Sequence, residues 1–136
     1  MAYHLYISNA SSEFFSHFLM DEDSGALAPQ PNIALAGAPG AVAKSLDESH
    51  LFAALRSSKM LASYAVDKSS GQLTQISSTS LEEGPPYLAV DNTGSYLLSS
   101  YYGSGRVAVH GIDAHCQLSA APLQTLDTDG HAHSIQ

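Results

Sequence analysis

GPPYLAVDNTGSYLLSSYYGSGRVAVHGID, from Gly84 to Asp113, decides the fold. Tyr87 to Val90 is a short apolar run, and Asp91-Asn92-Thr93-Gly94 is a turn ending on a residue suited to positive φ. Tyr96 to Ser100 alternates as a strand, so these segments form a hairpin. The loop Tyr101-Tyr102-Gly103-Ser104-Gly105 leads into a third strand from Arg106 to Ile112, in which Val107, Val109 and Gly111 face opposite to Ala108, His110 and Ile112. Asp113 to Cys116 turns the chain again, and Gln117 to Leu123 is expected as a polar fourth strand at the edge.

Weaker copies of this unit precede it. Gly25 and Leu27 recur as Gly71 and Leu73; Leu5-Tyr6-Ile7 recurs as Leu51-Phe52-Ala53 and as Tyr96-Leu97-Leu98; Met20-Asp21 recurs as Val66-Asp67 and Ile112-Asp113. The spacing is about 45 residues, within the range of propeller blades. The expected architecture is therefore all-β, a partial β-propeller of about three blades built from four-stranded antiparallel repeats. Residues 1–37 form a blade lacking its first strand, 38–83 the second blade, 84–129 the third, and 130–136 the first strand of a next one. No apolar stripe of helical period runs through Ala41 to Leu55, which aligns instead with the strands of Tyr87 to Ser99.

Composition bounds the function. The 136 residues are 44% apolar and 13% charged, compatible with a packed core, and the formal charge of −8 with only five basic residues argues against a nucleic-acid partner. Cys116 is the single cysteine, which rules out an internal disulfide and fits a reducing compartment. No secretory signal pattern and no apolar run long enough for a helical membrane span is present, so a cytoplasmic location with no membrane partner is expected.

Several segments together resemble the N-terminal part of the seven-bladed propeller lactonases, a family that includes bacterial 6-phosphogluconolactonases and carboxymuconate lactonising enzymes. They are Gly84-Pro85 opening a blade, Val90-Asp91 and Gly94 at the first turn, Tyr102-Gly103-Ser104-Gly105 followed by Val107, and His131-Ala132-His133-Ser134. Two turns depart from the family pattern: Ser8-Asn9-Ala10-Ser11 stands where a Gly-Thr-Tyr-Thr type turn is usual, and Arg56-Ser57-Ser58-Lys59 lacks the Gly-rich loop. The resemblance implies hydrolysis of a phosphorylated sugar lactone, with a lactonising cycloisomerase acting on a carboxymuconate as the enzymatic alternative. A non-catalytic binding or assembly module is the alternative from another class.

Antiparallel succession places the second-to-third strand loops and the blade-to-blade connections on one face. That face carries Arg56 and Lys59, Tyr101 and Tyr102, Glu82 and Glu83, and His131, with Arg106 beside it. Arg56, Lys59 and Arg106 are candidates to hold a small anionic lactone or carboxylate, and Tyr102 to stack on a sugar ring. Packing against the adjacent blade is the competing role for whichever of Tyr101 and Tyr102 points inward. His131 and His133 are the candidates for acid-base catalysis, since strand alternation would put both on one side and imidazole exchanges protons near neutral pH. The resemblance implies that this segment borders the active site. A purely structural or solvated pair is the competing reading. No closed metal-ligand set follows, even with Asp127 and Asp129 nearby, and no cofactor motif is present. His4, His17, His50, His110 and His115 are expected to be structural or solvated, and Cys116 is remote from the histidine pair. The chain opens on a second strand and closes on a first, so a strand-exchanged homo-oligomer is expected, or an incomplete piece of a longer protein.

Overall fold

The computed structural model describes residues 2–136, and it is built of strands, turns and loops. Blade 1 consists of β1 (Ala2–Ser8), β2 (Phe14–Asp21) and β3 (Leu27–Ala34). Blade 2 consists of β4 (Pro39–Lys44), β5 (His50–Leu55), β6 (Met60–Val66) and β7 (Leu73–Ser80). Blade 3 consists of β8 (Tyr87–Val90), β9 (Tyr96–Tyr101), β10 (Arg106–Gly111) and β11 (Gln124–Asp127). Each sheet is an antiparallel meander in chain order. Pro29 and Pro31 lie on β3, which among the described residues pairs with β2 alone; an outer strand tolerates the missing amide donors.

The turns repeat with the sequence. Between the third and fourth strands, Gly25 donates its N–H to the Asp21 carbonyl (2.8 Å) and Gly71 to the Asp67 carbonyl (2.7 Å), with φ of 69° and 71°. Asp67 Oδ1 also accepts from the Ser69 hydroxyl (2.6 Å) and N–H (2.8 Å), and these donors, the hydroxyl foremost, hold its carboxyl down at about 2. In the loop after the second strand, blade 3 places Gly105 at φ 64° and blade 2 places Lys59 at φ 51°. Lys59 thus takes on the left-handed position that a glycine fills in the best-matched repeat.

The core lies between the sheets, and blade 2 serves both interfaces. Ala53, Leu55, Ala62 and Tyr64 pack with Phe15 and Ile33 of blade 1, while Phe52, Ala54 and Leu61 pack with Leu88, Leu97 and Ile112 of blade 3. Alternation along β5 therefore feeds two cores at once, which is why Leu51 to Leu55 is apolar throughout. The first strand of blade 2 is thin, Pro39-Gly40-Ala41-Val42-Ala43, and lies close to β1 on one side and β8 on the other. The outward faces of the flanking blades are also apolar: Tyr3, Ile7 and Leu27 on blade 1, and Tyr96, Leu123 and Leu126 on blade 3, are all exposed.

Two expected strands are corrected. The fourth strand of blade 3 is Gln124–Asp127 and not Gln117 to Leu123, which contributes an isolated bridge between Leu118 and Ile112. Ser119 and Leu123 donate to the Gly111 and Val109 carbonyls, so Ala120, Ala121 and Pro122 loop out between two adjacent ladder positions. Pro122 has no N–H to give the ladder, and the Thr79 hydroxyl of blade 2 holds the Ala120 carbonyl at 2.6 Å. The segment 130–136 is not a strand either: His131 has φ 70°, outside the extended region, and no ladder partner flanks the segment among the described residues. His131 and His133 are therefore not related by strand alternation.

A histidine pair and a tyrosine of blade 1 reach across to blade 2. His17 is 2% exposed, and its Nε2 lies 2.9 Å from His4 Nδ1. His4 Nε2 reaches the Lys68 carbonyl of blade 2 (3.2 Å), Tyr6 stacks on His17 at 5.3 Å, and the Tyr6 hydroxyl donates to the Gly71 carbonyl (2.8 Å). Burial, and secondarily His4, lowers the His17 pKa. His110 is 1% exposed with neither ring nitrogen partnered, and burial lowers its pKa as well. Of the histidines expected to be structural or solvated, His17 and His110 are buried and His4 is half-buried.

Candidate functional site

A cavity of about 630 Å³ opens on the face that carries the second-to-third strand loops. Its lining joins every blade: Ser8 at the end of β1, Gly40 and Ala41 of β4, Arg56 from the β5–β6 loop, Glu83 to Pro86 from the blade 2–blade 3 connection, Tyr102 and Gly103 from the β9–β10 loop, and His133.

Arg56 is positioned by glycines. A Cβ on Gly40 would stand 2.7 Å from Arg56 Cδ, and one on Gly84 would stand 3.4 Å from Cγ, so the absent side chains make the groove in which the arginine stem lies. The Arg56 N–H is tied to the Ala38 carbonyl (2.7 Å), fixing the base of the side chain. Its guanidinium has no ion-pair partner among the described residues and is exposed at the cavity wall. A free guanidinium with a planar fork of donors suits a carboxylate or phosphate.

A second part of the lining is built around Tyr102, which is exposed while its neighbour Tyr101 is buried. His131 stacks on the Tyr102 ring with centroids 4.5 Å apart, and His133 meets it edge-on at 5.9 Å. The C-terminal segment is brought there by Thr128, whose N–H (2.7 Å) and hydroxyl (2.9 Å) both donate to the Gly105 carbonyl. A side chain at Gly105 would crowd that path, its Cβ 3.2 Å from the Asp129 carbonyl oxygen. Glu83 closes the wall: its Oε1 accepts from the Gly103 N–H (2.7 Å) and its Oε2 from the Ser104 N–H (3.1 Å).

Of the residues singled out in the sequence, Arg56, Tyr102 and His133 share this cavity, and His131 lies behind them against Tyr102. Arg106 and Lys59 are not brought to it. Arg106 pairs with Asp127 (3.1 Å) and Glu82 (3.7 Å) and lines a neighbouring cleft of about 550 Å³ between β7 and the outer part of blade 3. Lys59 is exposed at its turn, where its main chain bonds to Arg56 and Leu81. Sequence reasoning placed Glu83 on the correct face and gave it no role, because its partners lie in a loop 20 and 21 residues further on. No cluster of three or more metal-ligating side chains occurs among the described residues.

The sequence of residues 4–136 matches the family model described as lactonase, 7-bladed beta-propeller. The chain belongs to this propeller lactonase family. Solved structures carry the same fold: a Lactobacillus plantarum protein, 21% identical, with a TM-score of 0.83 over 96% of this chain, and the periplasmic gluconolactonase of Pseudomonas aeruginosa, 25% identical, with 0.81 over 93%. A Bacteroides fragilis protein described as a candidate 6-phosphogluconolactonase is 20% identical, with 0.77 over 93%. The chain spans 40%, 39% and 36% of the lengths of those three. Among curated proteins, none matches the sequence. No helix among the described residues is long and apolar enough to cross a membrane.

Proposed function

We propose that this face binds an anionic sugar lactone, with 6-phosphogluconolactone the leading substrate, and hydrolyses it. The observation that carries the reading is the pairing, across one cavity, of an ion-pair-free guanidinium, Arg56, with the imidazole of His133. Glu83, the other charged group on that wall, has both oxygens turned onto backbone N–H donors, which offsets its repulsion of an anion.

In this reading Arg56 holds the phosphate or carboxylate and Tyr102 supports the sugar ring. His133 takes a proton from water as the water oxygen bonds to the lactone carbonyl carbon. The tetrahedral intermediate then collapses, breaking the bond between that carbon and the ring oxygen, and the imidazolium returns the proton to the departing oxygen. His131, stacked behind Tyr102, steadies the platform. The single free thiol, Cys116, favours a cytoplasmic setting, and the periplasmic relative supplies the competing compartment.

The test is incubation of the purified chain with 6-phosphogluconolactone, an uncharged gluconolactone and a carboxymuconate. Faster hydrolysis of the phosphorylated lactone than of the neutral one is expected. Turnover of the muconate alone would replace hydrolysis with the lactonising reaction, and turnover of none, with binding retained, would leave a binding module.

A further inference from the structure

Glu83 stands at the junction of everything the cavity uses. It lines the cavity itself, it precedes Gly84, on which the Arg56 stem packs, and its carboxylate grips two consecutive N–H groups of the loop that presents Tyr102. Gly103 is what admits it: a Cβ there would stand 2.5 Å from Glu83 Oε1. Within the loop the Gly105 N–H donates to the Tyr101 carbonyl (3.1 Å), and the Gly103 and Ser104 donors turn to Glu83 from outside it.

We infer that Glu83 is a positioning residue for the reaction proposed above: it sets the Tyr102 platform, and through it His131 and His133, at a fixed separation from Arg56. The inference rests on that lactone reading for its effect on turnover. A carboxylate suits this grip, because each N–H takes its own oxygen, Oε1 for Gly103 at 2.7 Å and Oε2 for Ser104 at 3.1 Å. An amide supplies one oxygen and sets its NH₂ against the remaining N–H, a donor facing a donor. The tripeptide Glu83-Gly84-Pro85 thus couples the wall that holds the anion to the wall that moves the proton.

The experiment compares the full chain with E83Q, Y102A and the double variant, at a temperature below the unfolding of all of them. E83Q is expected to lower kcat for the preferred lactone on the order of tenfold or more with KM changed less than threefold, since a misplaced base slows the chemistry more than the binding. In the Y102A background the same change should have little further effect, because Glu83 acts through Tyr102. G103A, which retains the Glu83 charge and places a methyl 2.5 Å from its Oε1, should reproduce E83Q and stands in for it if E83Q does not fold. The NMR position of the His131 ring protons, displaced by the Tyr102 ring current, gives a readout independent of turnover; E83Q should move it in the direction that Y102A does. An unchanged His131 resonance in E83Q, or a full additional loss of kcat in the double variant, overturns the inference. A parent that turns over no lactone, with the His131 shift still following Glu83, overturns the reaction and leaves the positioning intact.

Discussion

Replacing Gly71 with alanine, and Gly25 with alanine as its control, tests how blades 1 and 2 are joined. The two glycines occupy the same turn in successive repeats with φ of 71° and 69°, so the cost of a Cβ in the left-handed region, about 1–2 kcal/mol, falls on both. The entropy lost by the unfolded chain on gaining a methyl is also common to both. What differs is the space. A Cβ on Gly25 meets nothing within 4 Å, whereas one on Gly71 would lie against His4 Nδ1 and 2.5 Å from His17 Nε2. The methyl cannot fit without prising apart the His4–His17 hydrogen bond and shifting His17, which is buried. Overpacking of this kind costs about 1–3 kcal/mol, and the lost hydrogen bond adds roughly 1 kcal/mol. Gly71→Ala should therefore be less stable than Gly25→Ala by about 2–4 kcal/mol, or on the order of 10 °C in Tm for a chain of this size. Urea unfolding followed by circular dichroism, with the slopes of the two variants checked for equality, measures the difference. Equal losses would show that the histidine pair yields without cost and does not bind the blades.

His133→Gln should lower lactone turnover by about 10²–10⁴-fold with unfolding nearly unchanged, since His133 is exposed and supported only from one side; paired kinetics and melting curves check this. Arg56→Ala should raise KM for the phosphorylated lactone and abolish its salt sensitivity, whereas Arg106→Ala, already committed to Asp127 and Glu82, should leave KM within about twofold when both are assayed across salt concentrations. Stability should also depend on pH in two windows. Burial lowers the folded pKa of His17 and His110 below the ordinary 6.5, so the unfolded chain takes up protons first: the stability is complete above about pH 6.5 and declines as pH falls from there. The decline is at most about 2.7 kcal/mol per pH unit while both sites contribute. Denaturant titrations at stepped pH read it, and His110→Leu should flatten it. Asp67, held at about 2, acts in the opposite range: its contribution is present above about pH 4 and is lost toward pH 2.

The repeat and its punctuation were legible because each rests on local chemistry. The Asp-led turns, the glycines at positive φ and the uninterrupted apolar run of β5 all announce themselves within a few residues. Strand succession put Arg56, Tyr102 and His131 on one face, whereas His133 reaches the cavity from a segment that is not the strand the spacing suggested. What could not be read depends on contacts distant in sequence. The displaced fourth strand of blade 3 needs Thr79 to hold the Ala120 carbonyl, and Lys59 shows that a left-handed turn position need not carry a glycine. The engagement of Arg106 by Glu82 and Asp127 removes from the cavity a residue that spacing alone favoured. Glu83 was invisible as a site residue, since a glutamate in a connection has no signature until the loop it caps is in view.

The thin first strand of blade 2 bears on the curvature of the whole array. Strand neighbours within a sheet keep a constant spacing whatever their side chains, but the distance between facing sheets is set by the bulk that stands between them. Along β4 that bulk is a run of proline, glycine, alanine and valine, and β1 and β8 draw close to it, while outward from it phenylalanine, leucine and tyrosine hold the sheets apart. The gap between blades is a wedge, and its taper is written in the sizes of a few residues. Enlarging Ala41 or Ala43 would spread the narrow end and bring successive sheets nearer to parallel, so that closing a circle would take more of them. The number of blades a ring of this kind accommodates is in this sense an angle, fixed residue by residue by the smallest side chains in the chain.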